Sequence, residues 1–143
     1  MGQSHLDILR SASSHPDLRG GYFGKRSNLA IWSTATGVLI GIFFYLGCAS
    51  GIGSAHVTNS VIFGAICGLM TAWILRSNAK AVQKDYIRMM RLKGIDKEII
   101  AALNEGADGL DSVRARFDKA AKGKSVVKER DIFRALALLG NKQ

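Results

Sequence analysis

Proline is nearly missing from this chain: Pro16 is the only one in 143 residues. Everything downstream is therefore free to be helical, because proline is the residue that most strongly breaks helices. Cysteine is equally scarce, with Cys48 and Cys67 alone, so a disulfide-stapled secreted fold is excluded on count. The scarcity that shapes the reading most is local. From Ser27 to Leu75 there is no Lys, Arg, Asp or Glu, and all 20 basic and 11 acidic residues lie outside that run. A soluble domain rarely leaves a third of its length uncharged, whereas a bilayer requires it. Low proline and 48% hydrophobic content also argue against wholesale disorder.

Export signals are missing too. The first 28 residues are polar and contain Asp7 and Asp17, which fits neither a secretory signal nor an acid-poor presequence. Gly2 is followed by Leu6 where a myristoylation signal wants Ser or Thr. An internal apolar segment with basic flanks is the expected membrane address.

What is present reads as an all-α protein in four parts: a membrane-embedded two-helix hairpin, a long basic helical extension and a small helical tail, preceded by a polar arm. Residues 1–28 form that arm, punctuated as loop by Gly20, Gly21 and Gly24, with one or two helical turns available between Ser4 and Ser11. Residues 29–75 are too long for one crossing, since about 20 apolar residues suffice at 1.5 Å each. The glycine and polar cluster from Gly51 to His56 divides them into spans near 29–50 and 57–75. Placing the turn centre midway between 53 and 54 sets Trp32 and Trp73 at one depth, as interfacial tryptophans prefer. Residues 76–93 continue the second span as a basic amphipathic helix ended by Gly94. Residues 94–143 carry three short helices, near 96–105, 110–122 and from Ser125 to before Gly140.

Orientation follows from charge. Arg19, Lys25 and Arg26 precede the hairpin, and Arg76 with five further cations follows it, while the turn has no fixed charge. Both termini are expected on the cytoplasmic or matrix side. The mitochondrial inner membrane is preferred over a bacterial plasma membrane.

The candidate site residues fall in three groups. Ser33, Gly37, Gly41 and Gly47 in the first span, and Ser60, Gly64 and Gly68 in the second, are spaced for close helix packing, because small residues let backbones approach where lipid gives no hydrophobic drive. The same stripe is also available to a second subunit. Arg76, Lys80, Lys84, Arg88 and Arg91 follow one helical stripe and suit anionic lipid headgroups or an acidic partner, while also orienting the hairpin. Phe117, Ile132, Phe133 and Leu136 give the tail apolar faces. About 45 residues bury too little surface to stand alone, so these faces are expected to lean on the extension, on a second copy or on a partner, and they are read as docking residues.

No catalytic, cofactor or metal set is expected. The spans lack the buried ionisable residue that proton relays and ion sites need. His56 is read as a polar turn residue, since no second histidine shares its depth for a haem. The stretch from Asn104 fails as a calcium loop, with Gly106 at position three and Ala115 at position twelve, where a bidentate Glu belongs. Gly123-Lys124-Ser125 fails as a phosphate loop because Asp118 stands where the first glycine belongs. Cys48 and Cys67 lie about 12 Å apart in depth, too far for a disulfide. Nucleic acid and small-molecule substrates are not expected as partners.

These features lead to a non-catalytic accessory or assembly subunit of a larger, energy-transducing membrane complex, with other membrane subunits and anionic headgroups as partners. The alternatives are a self-oligomerising, holin-like permeabilising protein and a membrane tether for a soluble partner.

Overall fold

The structure, a computed structural model, describes residues 4–47, 54–105 and 111–140. Among them there is no strand. Six α-helices follow in order: α1 (His5–Ser14), α2 (Arg26–Gly47), α3 (Ser54–Leu92), α4 (Ile95–Asn104), α5 (Asp111–Ala121) and α6 (Glu129–Gly140), with short 3-10 turns at Pro16–Arg19 and Tyr22–Gly24. The chain divides into two compact units. One combines the N-terminal segment through Arg19 with the chain from Val82 onward, and the other is Gly20–Ala81.

The first unit is a small helical bundle with its own core. Leu6, Leu9 and Ala12 recur every three residues and give α1 an apolar face, which packs on α6 and α4. Leu9 is completely buried, as are Ile99 of α4 and Ile132 and Leu136 of α6. The last turns of α3 contribute Tyr86 and Ile87 to the same core, and α5 contributes Val113 and Phe117. The helix α1 stops at His15, whose extended backbone (φ −65, ψ 134) is the conformation imposed on a residue before proline. Two side chains of α3 then secure the carbonyls of this segment: the Tyr86 hydroxyl donates to Ala12 O at 3.0 Å, and Gln83 Nε2 donates to Leu18 O at 2.9 Å.

This arrangement corrects the expectation for the two ends of the chain. The arm is more ordered than one or two helical turns: ten of its residues form α1, and its leucines enter the core. The tail does lean on something, and what covers it includes α1 as well as the end of α3.

The second unit is an antiparallel pair formed by α2 and the preceding part of α3. The seam is made of glycine. A Cβ on Gly64 would meet Gly37 O at 2.6 Å and Gly41 Cα at 3.1 Å, and one on Gly68 would meet Ser33 O at 3.0 Å. Gly41 lies against Ser60 O, 3.3 Å from where its own Cβ would stand. Gly37 thus sits between Gly64 and Gly68, and Gly41 between Ser60 and Gly64. A turn centred midway between 53 and 54 would put Gly47 opposite Ser60 and Gly41 between Gly64 and Gly68, and the observed seam is displaced from that register by about one helical turn, roughly 6 Å. The seam settles where backbones approach most closely, not symmetrically about the glycine cluster of the turn. Among the described residues, Gly47 accordingly has nothing within 4 Å of its would-be Cβ.

Polar groups inside this pair are bonded locally. Ser33 Oγ donates to Ala30 O (3.1 Å), Thr36 Oγ1 to Trp32 O (2.8 Å), Ser60 Oγ to His56 O (2.8 Å) and Thr71 Oγ1 to Cys67 O (2.9 Å). Each hydroxyl donates to a carbonyl of its own helix, which leaves it satisfied without water. Gly20, at φ +83, lets the chain pass α3 closely: a Cβ there would lie 3.1 Å from Ala79 Cβ.

The helix α3 is unbroken for 39 residues, about 58 Å at 1.5 Å each. It ends at Gly94, whose φ of +86 is the left-handed cap expected of it. Asp96 accepts from Arg91 Nε at 3.2 Å, and Gly94 holds the N-cap position of α4 without a side-chain bond. The last helix begins at Glu129, four residues later than Ser125, because Val127 is drawn into the core in a non-helical stretch. Its start is fixed by Asp131, whose Oδ2 accepts the Lys128 N–H at 3.4 Å.

Candidate functional site

The small residues of the two spans are brought together, Gly47 excepted. Ser33, Gly37 and Gly41 of α2 meet Ser60, Gly64 and Gly68 of α3 backbone to backbone. One flank of this seam opens as a cleft of about 530 Å³, lined by Thr34, Val38 and Tyr45 from α2 and Val57 and Val61 from α3 around the glycines. Around the pair, large apolar side chains point outward: Phe43, Leu69 and Trp73 are each more than 70% exposed. Trp32 is exposed as well, with its Nε1 at 3.5 Å from the Tyr22 hydroxyl. His56 lies in the first turn of α3 and is half-buried. Cys67 is a half-buried thiol, and Cys48 lies outside the described residues together with 51–53 of the expected turn.

The basic stripe does not remain one free surface. In the Gly20–Ala81 unit, Arg76 and Lys80 are exposed. In the other unit, Arg88 lies 3.3 Å from Glu129 and 3.9 Å from Asp85. Arg91 pairs with Asp96 and also donates from Nη2 to Val127 O at 2.6 Å. Arg88 and Arg91 therefore tie α3 to α4 and to the start of α6, while Lys84 stays exposed and has no ion-pair partner among the described residues.

Three of the four expected docking residues are internal. Phe117, Ile132 and Leu136 are at most 1% exposed inside the bundle's own core and are closed to a partner. Only Phe133 reaches the surface, at 39% exposure. It lies between two depressions on the bundle that share Phe133 and Gln83: a groove of about 760 Å³ toward Val126, Lys128 and Arg130, and a smaller hollow of about 310 Å³ toward Leu18 and Ala137. Val126, Lys128 and Arg130 were not singled out from sequence. The run Lys124 to Arg130, two valines inside a string of cations, was their only signal.

Two further groups hold the bundle together. Arg116 Nη1 of α5 donates to the buried Asp131 Oδ1 of α6 at 2.6 Å, and Arg114 Nη2 donates to Leu103 O. His5 Nδ1 lies 2.5 Å from Glu98 Oε2, and its Nε2 is 3.8 Å from Glu105. The bond to Glu98 raises the His5 pKa above its ordinary 6.5; partial desolvation opposes this, and the charges of Glu98 and Glu105 add to it. The Tyr86 hydroxyl is also raised, chiefly by burial and then by the charge of Asp17, while its ring stacks on His15 at 4.7 Å. Among the described residues, no group of three or more His, Cys, Asp or Glu is placed to hold a metal ion.

The class these features define is an all-helical protein with two helices long and apolar enough to cross a membrane. The chain matches no protein-family model, no curated protein and no solved structure.

Proposed function

We propose that this is an integral membrane protein whose α2 and α3 cross the bilayer as a hairpin, and that it serves as a non-catalytic accessory or assembly subunit of a larger, energy-transducing membrane complex. The observation that carries the reading is the packing of α1 on α4 and α6. One helix before the spans and two after them share one core, so both termini belong on the same side of the membrane, the cytoplasmic or matrix side that the basic flanks favour. The hairpin then anchors a folded helical unit whose outer surface is available to other subunits. Outward-facing Phe43, Leu69 and Trp73 support burial of the pair in lipid or against neighbouring spans, since soluble proteins rarely expose so contiguous an apolar surface. The mitochondrial inner membrane remains the preferred location.

The accessory reading is preferred to the holin-like alternative because the glycine stripe that would drive self-association is used in the chain's own α2–α3 seam.

Mild-detergent native gels of membranes containing the full chain, with mass spectrometry of the band that holds it, test the proposal. The expected result is a band far larger than a homodimer, containing other membrane subunits. Recovery as a monomer or homo-oligomer, or dye entry into cells on induced expression, overturns it.

A further inference from the structure

We infer that the groove beside Phe133 is a docking site for an acidic amphipathic helix of a partner protein. The inference deepens the accessory-subunit reading by naming a surface and the chemistry that fits it.

The floor of the groove is apolar and recessed. Among its lining residues Ile87 of α3 and Val127 are buried, while Val126 is 80% exposed and Phe133 39% exposed. Such a floor takes the apolar stripe of a helix, with anchors at i, i+3, i+4 and i+7.

The rim is basic, and its charge is not spent internally. The groove is lined by Lys84, Arg91, Lys128 and Arg130 and by a single carboxylate, Glu129. Glu129 is neutralised by Arg88 at 3.3 Å, and the adjacent Asp131 by Arg116 at 2.6 Å. Arg91 is occupied with Asp96 and with the Val127 carbonyl, which fixes the valine floor in place. Lys84, Lys128 and Arg130 have no carboxylate within ion-pair distance among the described residues. The groove is thus preorganised, with its own acid masked and three cations facing outward. An occupant with carboxylates flanking an apolar stripe is the complement.

Shape decides between a helix and an anionic bilayer. A lipid surface meets what protrudes, whereas Ile87 and Val127 are buried lining residues of a depression, which suits a convex ligand. The smaller hollow beyond Phe133 continues the depression toward Ala137, so the surface extends past a single side-chain pocket.

The test uses the full-length protein in neutral phosphatidylcholine nanodiscs. A fluorescein-labelled synthetic peptide with leucines at i, i+3, i+4 and i+7 and glutamates on both flanks is titrated by anisotropy, with empty nanodiscs as blank. Saturable binding is expected, weakened about tenfold or more by K128E/R130E and by Val126→Asp. Val126 is mostly exposed, so its substitution spares the core, and unchanged far-UV circular dichroism verifies that for both variants. No binding, equal binding by a scrambled peptide of the same composition, indifference to the variants, or displacement of the peptide by phosphatidylserine-containing vesicles overturns the site. The titration needs no native complex. A failed titration beside an intact complex on the native gel removes the groove alone, and a missing complex removes the accessory role alone.

Discussion

Gly64 stands against the Gly37 carbonyl so closely that a Cβ at position 64 would lie 2.6 Å from the oxygen. No rotamer relieves that contact, because both atoms belong to backbone. Gly64→Ala is therefore expected to part the helices and destabilise the pair by about 1–3 kcal/mol. Gly47→Ala has open space around it and is expected to be neutral or slightly stabilising, since alanine is the better helix former. Leu69→Ala, at an outward-facing position, falls between these limits. Thermal unfolding of the three variants in micelles ranks them. Equal midpoints for Gly64→Ala and Gly47→Ala would mean that the seam is not what closes the pair.

The glycine seam shows what was legible from residue order alone and what was not. Four-residue spacing of Ser33, Gly37 and Gly41, and of Ser60, Gly64 and Gly68, marks two faces that can touch, because helical periodicity is local. Which residue touches which depends on where the faces slide to rest, and that is not local. The same division holds elsewhere. Gly94 and Gly123 end helices as their positions suggest, both at positive φ, and the absence of breakers carries α3 unbroken to Leu92. The role of α1 was not legible, because Leu6 and Leu9 are diluted by serines and charge, and their partners lie some 90 or more residues away. Phe117, Ile132 and Leu136 looked unpartnered for the same reason.

Leu9 is where α1 enters the core, so its removal tests whether the arm is structural. Leu9→Ala leaves a cavity in the core that also holds Ile99, Ile132 and Leu136, and is expected to cost about 2–5 kcal/mol, a large share of what so small a bundle has. The isolated 94–143 segment is expected to be poorly helical, and a soluble fusion of 4–19 to 82–140 to regain helicity. Circular dichroism decides. If 94–143 folds as well alone, the arm is dispensable.

The His5–Glu98 contact makes the docking of α1 sensitive to pH. A histidine whose pKa is raised on folding adds stability that is fully present below its unfolded value of 6.5 and is lost as pH rises through the folded value. Amides of α1 are therefore expected to exchange faster, after correction for intrinsic rates, as pH climbs from below 6.5 into the alkaline range. His5→Gln flattens that dependence. An identical profile in the variant would assign the pH response to another group.

Asp131 is held by Arg116 and, in turn, holds the first turn of α6 through the Lys128 N–H. Asp131→Asn keeps the shape but weakens both bonds, and about 2 kcal/mol of destabilisation is expected, with fraying concentrated at the start of α6. Arg116→Ala removes only the exposed partner of the pair and is expected to cost less. Chemical denaturation of both variants separates the two contributions. A larger loss for Arg116→Ala would show that the capping bond is the lesser one.

The core shared by α1, α4 and α6 also constrains how the chain threads a membrane. The first of these helices precedes both spans and the others follow them, so a bilayer crossed once by α2 and once by α3 leaves all three on one side. A single crossing, or a pair lying flat at the interface, would break that relation or remove the far side altogether. Single cysteines in a background lacking Cys48 and Cys67 distinguish these cases. Arg10→Cys and Arg130→Cys, both exposed on the bundle, are expected to react with an impermeant maleimide from the cytoplasmic or matrix face only. His56→Cys, in the first turn of α3, is expected to react only from the opposite face. Labelling of position 56 from the same face as positions 10 and 130 would place the whole chain on one side and end the hairpin reading. Labelling of 10 and 130 from opposite faces would contradict the packing of α1 on α6 itself.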